Sequence, residues 1–477
     1  MTPLFPDRSG PFLTARTAFA RRVLIGMAVL AGGHAAPGAV AAQDGRVAAI
    51  RSVLAGGAAE EAPGCVMGQF AEGRTVRIVS QGEADLAAHR PLDADTLFYG
   101  ASLSKQFTAL AAATLIVQGK LALEDDVRRY LPELPAYSRP VTVAMLMHHT
   151  SGIRDSLSLL RMAGLADVGQ ASKAQALGLL FRQRDTAFEP GSAYSYSNGG
   201  YLLLAEIVAR VSGRPFADYA RDAVFAPAGM PNAYFLDDGT PRKGALAHGY
   251  LPEAGGYAVR DTFPRFSGSG GLMLSMADMA AWEADVARNH RVWTPQVAQI
   301  LLTPGRFNDG TVIDDGKGLS YGGGLHIGRK GGERVIRHGG SAEAFKHAYL
   351  RLPDRGLSFA LLCNRGDRKA SATLAAAMRA AGVRPPGQPV RPQAGLYHSD
   401  ELNADYALVR EGDGLAVTIT SPLTDRPRRL HFTARDDGRF HAGPMSLAPS
   451  GDPERLVLRR GRSGELVLIR TAERKPR

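Results

Sequence analysis

The pattern of apolar and polar positions predicts a mixed chain of helices and strands, of the α/β (α+β) class. Two long apolar runs, residues 106–118 and 201–211, are typical of buried helices. Shorter apolar runs are typical of strands, and they lie at residues 65–70, 325–327, 335–336, 348–350 and 358–363. Gly331-Gly332 separates two of these runs, as expected of a hairpin tip.

A proline-rich segment at residues 382–392 interrupts this pattern. Neither a helix nor a central strand tolerates so many prolines, so the segment is predicted to be a linker. After it, short alternating segments are separated by Asp-Gly, Arg-Pro and Ser-Gly turns. These segments predict a small all-β domain over residues 393–477, an antiparallel sheet or barrel, beside a larger domain over residues 43–381.

The N-terminus has the pattern of an export signal. Arg16, Arg21 and Arg22 precede an apolar stretch at residues 23–31, and small residues follow at 39–43. The apolar stretch is too short to span a bilayer, and no cysteine lies near the expected cleavage site. We therefore predict a signal peptide over residues 1–42 and a periplasmic or extracellular location.

Composition is that of an ordinary globular protein with a basic surface. The 477 residues are 45% hydrophobic, enough to bury a large core in more than one domain, and the formal net charge is +11. The basic residues are spread and form no dense cluster with interleaved aromatics, so no nucleic-acid partner is expected. The surplus is interpreted as solvated surface that an anionic cell envelope would attract, and the oligomeric state stays open.

Ser102-Leu103-Ser104-Lys105 lies at the first turn of the helix predicted over residues 106–118. Side chains three residues apart share one face of a helix, so the Lys105 amine can reach the Ser102 hydroxyl. Burial near the positive end of the helix dipole disfavours the charged lysine, which leaves part of it neutral and able to accept a proton. Ser102 is therefore the candidate nucleophile, and Lys105 is its activator.

A second motif, Tyr196-Ser197-Asn198, immediately precedes the helix predicted over residues 201–211. A tyrosine hydroxyl has an ordinary pKa near 10, but neighbouring ammonium groups would favour the phenolate, and Tyr196 could then act as a general base. The Asn198 amide could hold the substrate or Lys105.

A third motif is His338-Gly339-Gly340-Ser341, where two glycines let the backbone approach a ligand. Lys330-Gly331-Gly332 and His326-Ile327-Gly328 fit similar patterns. Both lie in the predicted hairpin, so His338 is preferred.

Other polar and glycine-rich stretches receive structural interpretations. His148-His149 has no third ligand at a metal-like spacing, so no metal site and no cofactor are predicted. The glycine runs at residues 268–271 and 322–324 lack the strand and helix context of a dinucleotide site, and are interpreted as turns or strand edges. Residues 100–104 lack the final glycine of a nucleophile elbow, which disfavours an α/β-hydrolase.

The three motifs, in this order and at these wide separations, resemble those of the serine β-lactamase-related hydrolases. That group includes class C β-lactamases, D-alanyl-D-alanine carboxypeptidases, D-aminopeptidases and β-lactamase-like esterases. Supporting stretches lie at residues 95–98, 146–152 and 270–275, and the likeness covers roughly residues 45–385. The resemblance implies an antiparallel sheet of five or more strands flanked by helices, with a helical insertion between its first and last strands.

The resemblance also implies roles for individual residues. Ser102 would be acylated, Lys105 would activate it, and Tyr196 would be the base for acylation and for the deacylating water. Asn198, His338 and Gly340 would contact the substrate. The backbone N–H groups of Ser102 and Ser341 would form the oxyanion hole, each donor contributing about 3 kcal/mol in the transition state.

One departure from the family pattern concerns the third motif. Penicillin-recognising members usually have Lys-Thr-Gly there, and the lysine attracts the substrate carboxylate. His338 takes its place, and a histidine with pKa near 6.5 is mostly neutral at pH 7, so this attraction would be weaker.

The resemblance therefore favours a secreted serine hydrolase that acts through an acyl-enzyme on esters, amides or D-residue peptides. Two alternatives stay open. One is a β-lactamase or a D-alanyl-D-alanine carboxypeptidase, and the other is a catalytically silent cell-wall-binding or sensor protein on the same fold.

The two cysteines lie in the predicted strands at residues 65–70 and 358–363. In the resembled fold these are the first and last strands of the sheet and are antiparallel neighbours. We therefore expect Cys65 and Cys363 to lie within roughly 8 Å between Cα atoms. An export signal would place them where a disulfide can persist, although two buried thiols remain the alternative.

Overall fold

The computed structural model describes residues 37–237, 241–264, 266–387, 392–412, 414–435, 438–450, 452, 454–460 and 465–471. Its α-helices are α1 (Pro37–Ala55), α2 (Ser104–Val117), α3 (Val143–Met147), α4 (Ser156–Met162), α5 (Lys173–Phe181), α6 (Asn198–Ser212), α7 (Phe216–Ala220), α8 (Ala226–Ala228), α9 (Met276–Ala284), α10 (Pro295–Leu302) and α11 (Ala370–Ala380). Short 3-10 turns span Ala101–Leu103, Val127–Arg129, Val168–Gln170 and Pro353–Arg355, and π-helical turns span Arg221–Phe225 and Asp285–Asn289.

The strands of the first 365 residues are β1 (Cys65–Ala71), β2 (Arg74–Gln81), β3 (Glu83–Asp85), β4 (Arg90–Pro91), β5 (Phe98–Tyr99), β6 (Tyr234–Phe235), β7 (Tyr250–Glu253), β8 (Gly256–Val259), β9 (Leu272–Leu274), β10 (Ser320–Tyr321), β11 (His326–Lys330), β12 (Glu333–Ser341), β13 (Lys346–Leu352) and β14 (Leu357–Cys363). Later strands are β15 (Gly395–Ser399), β16 (Ala404–Glu411), β17 (Gly414–Thr420), β18 (Arg428–Ala434), β19 (Phe440–Ala442), β20 (Met445–Pro449), β21 (Arg455–Arg460) and β22 (Glu465–Thr471).

A seven-stranded sheet forms the centre of the first part of the chain. Its strand order is β10-β11-β12-β13-β14-β1-β2, and all neighbouring strands are antiparallel. Helices α2 to α10 lie between β2 and β10 in sequence, and β11 and β12 form the predicted hairpin with Lys330 opposite Glu333. The predicted antiparallel sheet with a helical insertion is therefore confirmed.

The central strands of the sheet, β13, β14 and β1, are buried on both faces, and the residues of β14 alternate between two cores. On β14, Phe359 and Leu361 pack in a cluster with α1 and α11, whereas Ala360 and Leu362 pack in the larger cluster with the helical insertion. This alternation follows from the two-residue period of a strand. It explains why the run at residues 358–363 is continuously apolar rather than alternating.

The first and last strands of the seven-stranded sheet, in chain order, are joined by a disulfide. Cys65 lies directly opposite Cys363 in the β1–β14 register, with their Cα atoms 4.0 Å apart. Both residues are fully buried. The expected proximity is confirmed, and the two sulfurs are bonded rather than free.

Replacing both Cys65 and Cys363 by alanine is expected to lower the free energy of unfolding by about 2–5 kcal/mol. The bridge spans 298 residues, so its loss frees a long loop in the unfolded chain. Guanidinium denaturation followed by circular dichroism would measure this change. Wild-type protein treated with a reductant serves as the matched comparison, and unfolding curves that coincide for oxidised and double-alanine protein would contradict the prediction.

The C-terminal strands β15 to β22 close into an eight-stranded antiparallel barrel. Its interior is filled by apolar side chains that include Tyr397, Leu408, Val417, Phe432 and Leu468. The predicted β-barrel is therefore confirmed. From Gly45 onward the described residues form one compact unit. The hairpin tip at Gly331 lies against Gly438 of the barrel. A Cβ added at Gly438 would lie 2.9 Å from the Gly331 Cα.

The predicted signal peptide and the predicted linker lie only partly within the described residues. Most of the predicted signal peptide, residues 1–36, and residues 388–391 of the predicted linker lie outside the described residues. The expected cleavage region at 39–43 lies in α1. The domain boundaries therefore stay predictions. No helix among the described residues combines the length and apolarity needed to cross a membrane.

Candidate active site

Ser102 and Lys105 face each other as their spacing predicts. Ser102 lies in the 3-10 turn Ala101–Leu103, which continues directly into α2, and Lys105 lies in the first turn of α2. The Lys105 Nζ is 3.3 Å from the Ser102 Oγ. The residue before the serine, Ala101, has a left-handed backbone with φ of 46°, which is uncommon for a residue other than glycine.

Two oxygen acceptors hold the Lys105 amine in place. Nζ donates to the Asn198 Oδ1 at 2.9 Å and to the Ser269 carbonyl oxygen at 2.9 Å. A neutral amine has two protons and one lone pair. With both protons given to these oxygens, the lone pair is left for the hydroxyl proton of Ser102.

The surroundings of Lys105 favour this neutral form. The side chain is fully buried, and burial lowers the pKa of Lys105 from 10.5 to about 7, while the negative charge of Asp155 partly opposes the shift. A substantial fraction of Lys105 is therefore neutral near pH 7, as a residue that activates a serine would need to be.

Asn198 is fixed by a carboxylate that the sequence did not reveal. The backbone N–H and the Nδ2 of Asn198 both donate to the Asp155 Oδ2, at 2.8 and 2.7 Å. These two bonds orient the amide so that its Oδ1 faces Lys105. The second carboxylate oxygen, Oδ1, accepts from the backbone N–H of Ser158 and caps α4.

Tyr196 is the second predicted proton carrier, and it lies beside Ser102 and Lys105. Its hydroxyl is close enough to Ser102 to influence its own pKa, and the Lys105 Nζ lies 4.7 Å from the centre of its ring. Burial raises the pKa of Tyr196 well above 10, and the nearby Ser102 opposes this only in part. The resting hydroxyl is therefore protonated, and the phenolate that the sequence suggested is not favoured in the resting site.

His149 packs against the ring of Tyr196. Its ring centre lies 4.3 Å from that of Tyr196 and 4.7 Å from that of Tyr321. The His149 Nδ1 accepts from the backbone N–H of Ser197, one residue after the tyrosine. Burial holds the pKa of His149 well below 6.5, so the ring is neutral and packs Tyr196 against the site.

The described residues contain no group of three or more side chains arranged to hold a metal ion.

His338 is largely buried, and it lines the second of the two cavities that contain Ser102. Only 5% of its surface is exposed. The Nδ1 donates to the Gly339 carbonyl oxygen at 2.6 Å, which leaves Nε2 to accept from the Tyr321 hydroxyl at 3.0 Å. Burial and the neighbouring His326 and Lys105 hold the pKa of His338 well below 6.5. The neutral imidazole expected from the sequence is present.

The end of β12 lies close to Gly100, which immediately precedes the turn that contains Ser102. A Cβ added at Gly340 would lie 2.6 Å from the Gly100 carbonyl oxygen, so only glycine permits this approach. Ser341 follows and lines the same cavities as Ser102. The two residues predicted to supply the oxyanion-hole N–H groups are therefore brought to one site.

The two glycine runs support α2, a role that their sequence context did not suggest. Ser269, in the run at residues 268–271, supplies the carbonyl that binds Lys105. Gly324 has a left-handed φ of 72°, and a Cβ there would lie 2.5 Å from the Lys105 carbonyl oxygen. Both runs are turns, as predicted, and both allow the chain to pack against the first turn of α2.

Two cavities open on Ser102. The first has a volume of about 750 Å³ and the second about 920 Å³, and both are lined by Ser102, Asn198, Ser341 and Lys346. The first cavity also contains Arg161 and Glu343 in its wall. The second extends along β12 to α11 and is the more basic of the two; its further charged lining residues are Asp315, Lys317, Lys330, Arg337 and Arg368.

Replacing Asp155 by asparagine is expected to lower kcat/KM by about 10- to 10²-fold, since Asn198 and Lys105 would lose their alignment. Asp155 uses one carboxylate oxygen for the two Asn198 donors and the other for the Ser158 N–H at the start of α4. The asparagine amide has a single oxygen, so it cannot accept from all of these donors. Removing the negative charge also takes away the influence that raises the Lys105 pKa, so the acidic limb of the pH–rate profile should shift to lower pH. A pH profile of kcat/KM measures both effects, and an unchanged limb would contradict the electrostatic role.

The sequence of this chain is similar to that of known proteins. A family model described as Beta-lactamase matches residues 36–383. The D-aminopeptidase of Brucella ovis is 31% identical over 354 residues, which is 73% of this chain and 65% of that protein. The chain thus spans slightly less than two thirds of that relative. It belongs to the Beta-lactamase family.

Solved structures show the same fold. The octameric penicillin-binding protein homologue from Pyrococcus abyssi aligns with a TM-score of 0.61 at 20% identity, over 90% of this chain and 99% of the other. The D-amino acid amidase from Ochrobactrum anthropi SV3 aligns with a TM-score of 0.57 at 22% identity, over 71% and 99%. The first alignment extends over the barrel region as well as the seven-stranded sheet.

Proposed function

We propose that this protein is an exported hydrolase that cleaves amide or ester bonds next to a D-amino-acid residue, through a covalent acyl-enzyme on Ser102. The observation that carries the mechanism is the buried Lys105 amine, with a pKa of about 7, at 3.3 Å from the Ser102 hydroxyl. The relatives named D-aminopeptidase, at 31% identity, support the substrate class.

Acylation begins when the neutral Lys105 amine accepts the Ser102 proton as the Oγ attacks the substrate carbonyl carbon. Negative charge then develops on the carbonyl oxygen, where the backbone N–H groups of Ser102 and Ser341 would stabilise it. Tyr196, which is protonated in the resting site, gives its proton to the leaving nitrogen or oxygen. The acyl-enzyme is left with Lys105 as ammonium beside the Tyr196 phenolate.

Deacylation uses the pair of charges that acylation creates. The Tyr196 phenolate takes a proton from water, and the resulting hydroxide attacks the acyl carbon. When the bond to Ser102 breaks, its Oγ recovers a proton from the Lys105 ammonium. Every group returns to its starting state, so Tyr196 can act as the predicted base for water although its resting pKa is high.

Export is the second part of the proposal. It is supported by the N-terminal pattern of arginines, an apolar stretch and small residues, and by the Cys65–Cys363 disulfide, since disulfides persist chiefly in oxidising compartments. A catalytically silent role is disfavoured because Ser102, Lys105 and Tyr196 are all present and lie close together.

A substrate panel tests the substrate class. Purified protein would be given the D- and L-forms of alanine p-nitroanilide, p-nitrophenyl butyrate and nitrocefin, with Ser102→Ala as the blank. We expect the D-anilide to be hydrolysed with a kcat/KM at least about 10-fold above that of the L-form. Equal rates on the two forms, or a kcat/KM highest for nitrocefin, would overturn the assignment.

A further inference from the structure

Lys346 lies where the two cavities meet. It begins β13 opposite Ser341, and its side chain lines both cavities together with Ser102. The Lys346 Nζ donates to the Ser341 Oγ at 2.9 Å and to the Ala342 carbonyl oxygen at 2.7 Å. An ammonium group has three protons, so one donor is left for a ligand in the cavity.

The charge of Lys346 is not neutralised by the protein. Both of its hydrogen-bond acceptors are uncharged, and it forms no salt bridge within the described part of the chain. Glu343 acts on the ammonium electrostatically, but without a direct ion pair. The side chain is half-buried, so part of its hydration is already lost and an anionic ligand could replace it.

The wall of the second cavity adds positive potential around Lys346. Lys317, Lys330 and Arg337 form no salt bridge with any described residue. The carboxylate in that wall, Asp315, is bonded to His326 at 2.6 Å. Unpaired charges of one sign in a cleft raise the local concentration of ligands of the opposite sign.

His338 cannot supply this charge itself. It is neutral, it is 95% buried, and both of its ring nitrogens are occupied by Tyr321 and the Gly339 carbonyl. Lys346, five residues after Ser341 and on the neighbouring strand β13, can supply the positive charge that the third motif lacks.

We propose that Lys346 binds a carboxylate group of the substrate. This inference rests on the proposed hydrolase function and adds a preference for substrates that carry a free carboxylate, such as short peptides with an unblocked C-terminus. It also revises the expectation that replacement of lysine by His338 leaves carboxylate attraction weak.

Two matched substrate pairs test the inference. The first pair is 4-carboxyphenyl acetate and 4-carbamoylphenyl acetate, which differ in charge and contain no D-residue. The second is D-alanyl-glycine and D-alanyl-glycinamide. The measured quantity is the ratio of kcat/KM for the acid to that for the amide, compared between wild type and variant, which cancels differences in leaving-group reactivity and in the fraction of active protein.

We expect Lys346→Met to lower this ratio by about 10-fold or more, the size of effect of a hydrogen bond to a charged group. Lys346→Arg should retain most of the ratio. Lys120→Met removes the same charge from an exposed site outside both cavities and should leave the ratio unchanged. Added NaCl should lower the wild-type ratio and have little effect on that of Lys346→Met.

An unchanged ratio in Lys346→Met for the acetate pair would overturn the inference. Failure of the proposed substrate class has a different signature. In that case the dipeptide pair would not be hydrolysed by any variant, while the acetate pair would still report the role of Lys346.

Discussion

Replacing Ser102 by alanine is expected to abolish hydrolysis and active-site labelling by a fluorophosphonate, with a loss in kcat on the order of 10⁶-fold. The covalent step needs the Ser102 oxygen, and no neighbouring group within reach of Lys105 can substitute for it. Steady-state kinetics and gel-based labelling would measure the loss.

The control for this variant is Ser138→Ala, at an exposed serine outside both cavities. It should retain full activity and labelling. Ser102→Ala itself should unfold at a temperature close to that of wild type, since its hydroxyl is only partly buried. Labelling that persists in Ser102→Ala would refute the assignment of the nucleophile.

Removing either proton carrier is expected to have the next largest effect. Lys105→Met and Tyr196→Phe should each lower kcat/KM by at least about 10²-fold, the lower end for a positioned acid or base. Methionine nearly matches the length of the lysine stem and suits its buried site. Lys120→Met is the matched control for charge, and near-normal turnover by Tyr196→Phe would assign the second proton transfer to another group.

The pH dependence of the wild-type enzyme should report Lys105. The active form is the neutral amine, and burial lowers its pKa from 10.5 to about 7. The kcat/KM should therefore fall as pH drops below 7 and should be level above it. Tyr196 titrates well above pH 10, so it adds no second limb in the neutral range. An acidic limb far from pH 7 would contradict this origin.

The contact between Ser102 and Lys105 could be predicted because the two residues are close in sequence. A spacing of three residues on one helix brings Ser102 to Lys105 whatever the rest of the chain does. The strands could be predicted for the same reason, since an apolar run such as 358–363 reports burial directly. The pairing of Cys65 with Cys363 needed the family resemblance as well, because nothing near either residue specifies a partner 298 positions away.

Asp155 and His149 could not be predicted because their partners are distant in sequence. Asp155 is 43 residues from Asn198 and also caps a helix, so its local pattern is that of an ordinary cap. His149 belongs to a His-His pair that resembles a fragment of a metal site, yet its contacts are with tyrosine rings. Tertiary packing alone assigns both roles.

The electrostatic error at Tyr196 has a related cause. The sequence shows that a lysine will lie nearby, but it does not show how much water the site excludes. Desolvation is the largest influence on the Tyr196 pKa, so the resting hydroxyl stays protonated.

The pairing of β1 with β14 has a consequence for biosynthesis. At a synthesis rate of about 5–20 residues per second, β1 waits roughly 15–60 s for its partner strand to be made. During that interval β2 can pair with one edge of β1, while the other edge is open to nonspecific association. The central strands of the sheet therefore form late, and Ser102 in the intervening segment reaches its final surroundings only after β14 has been made.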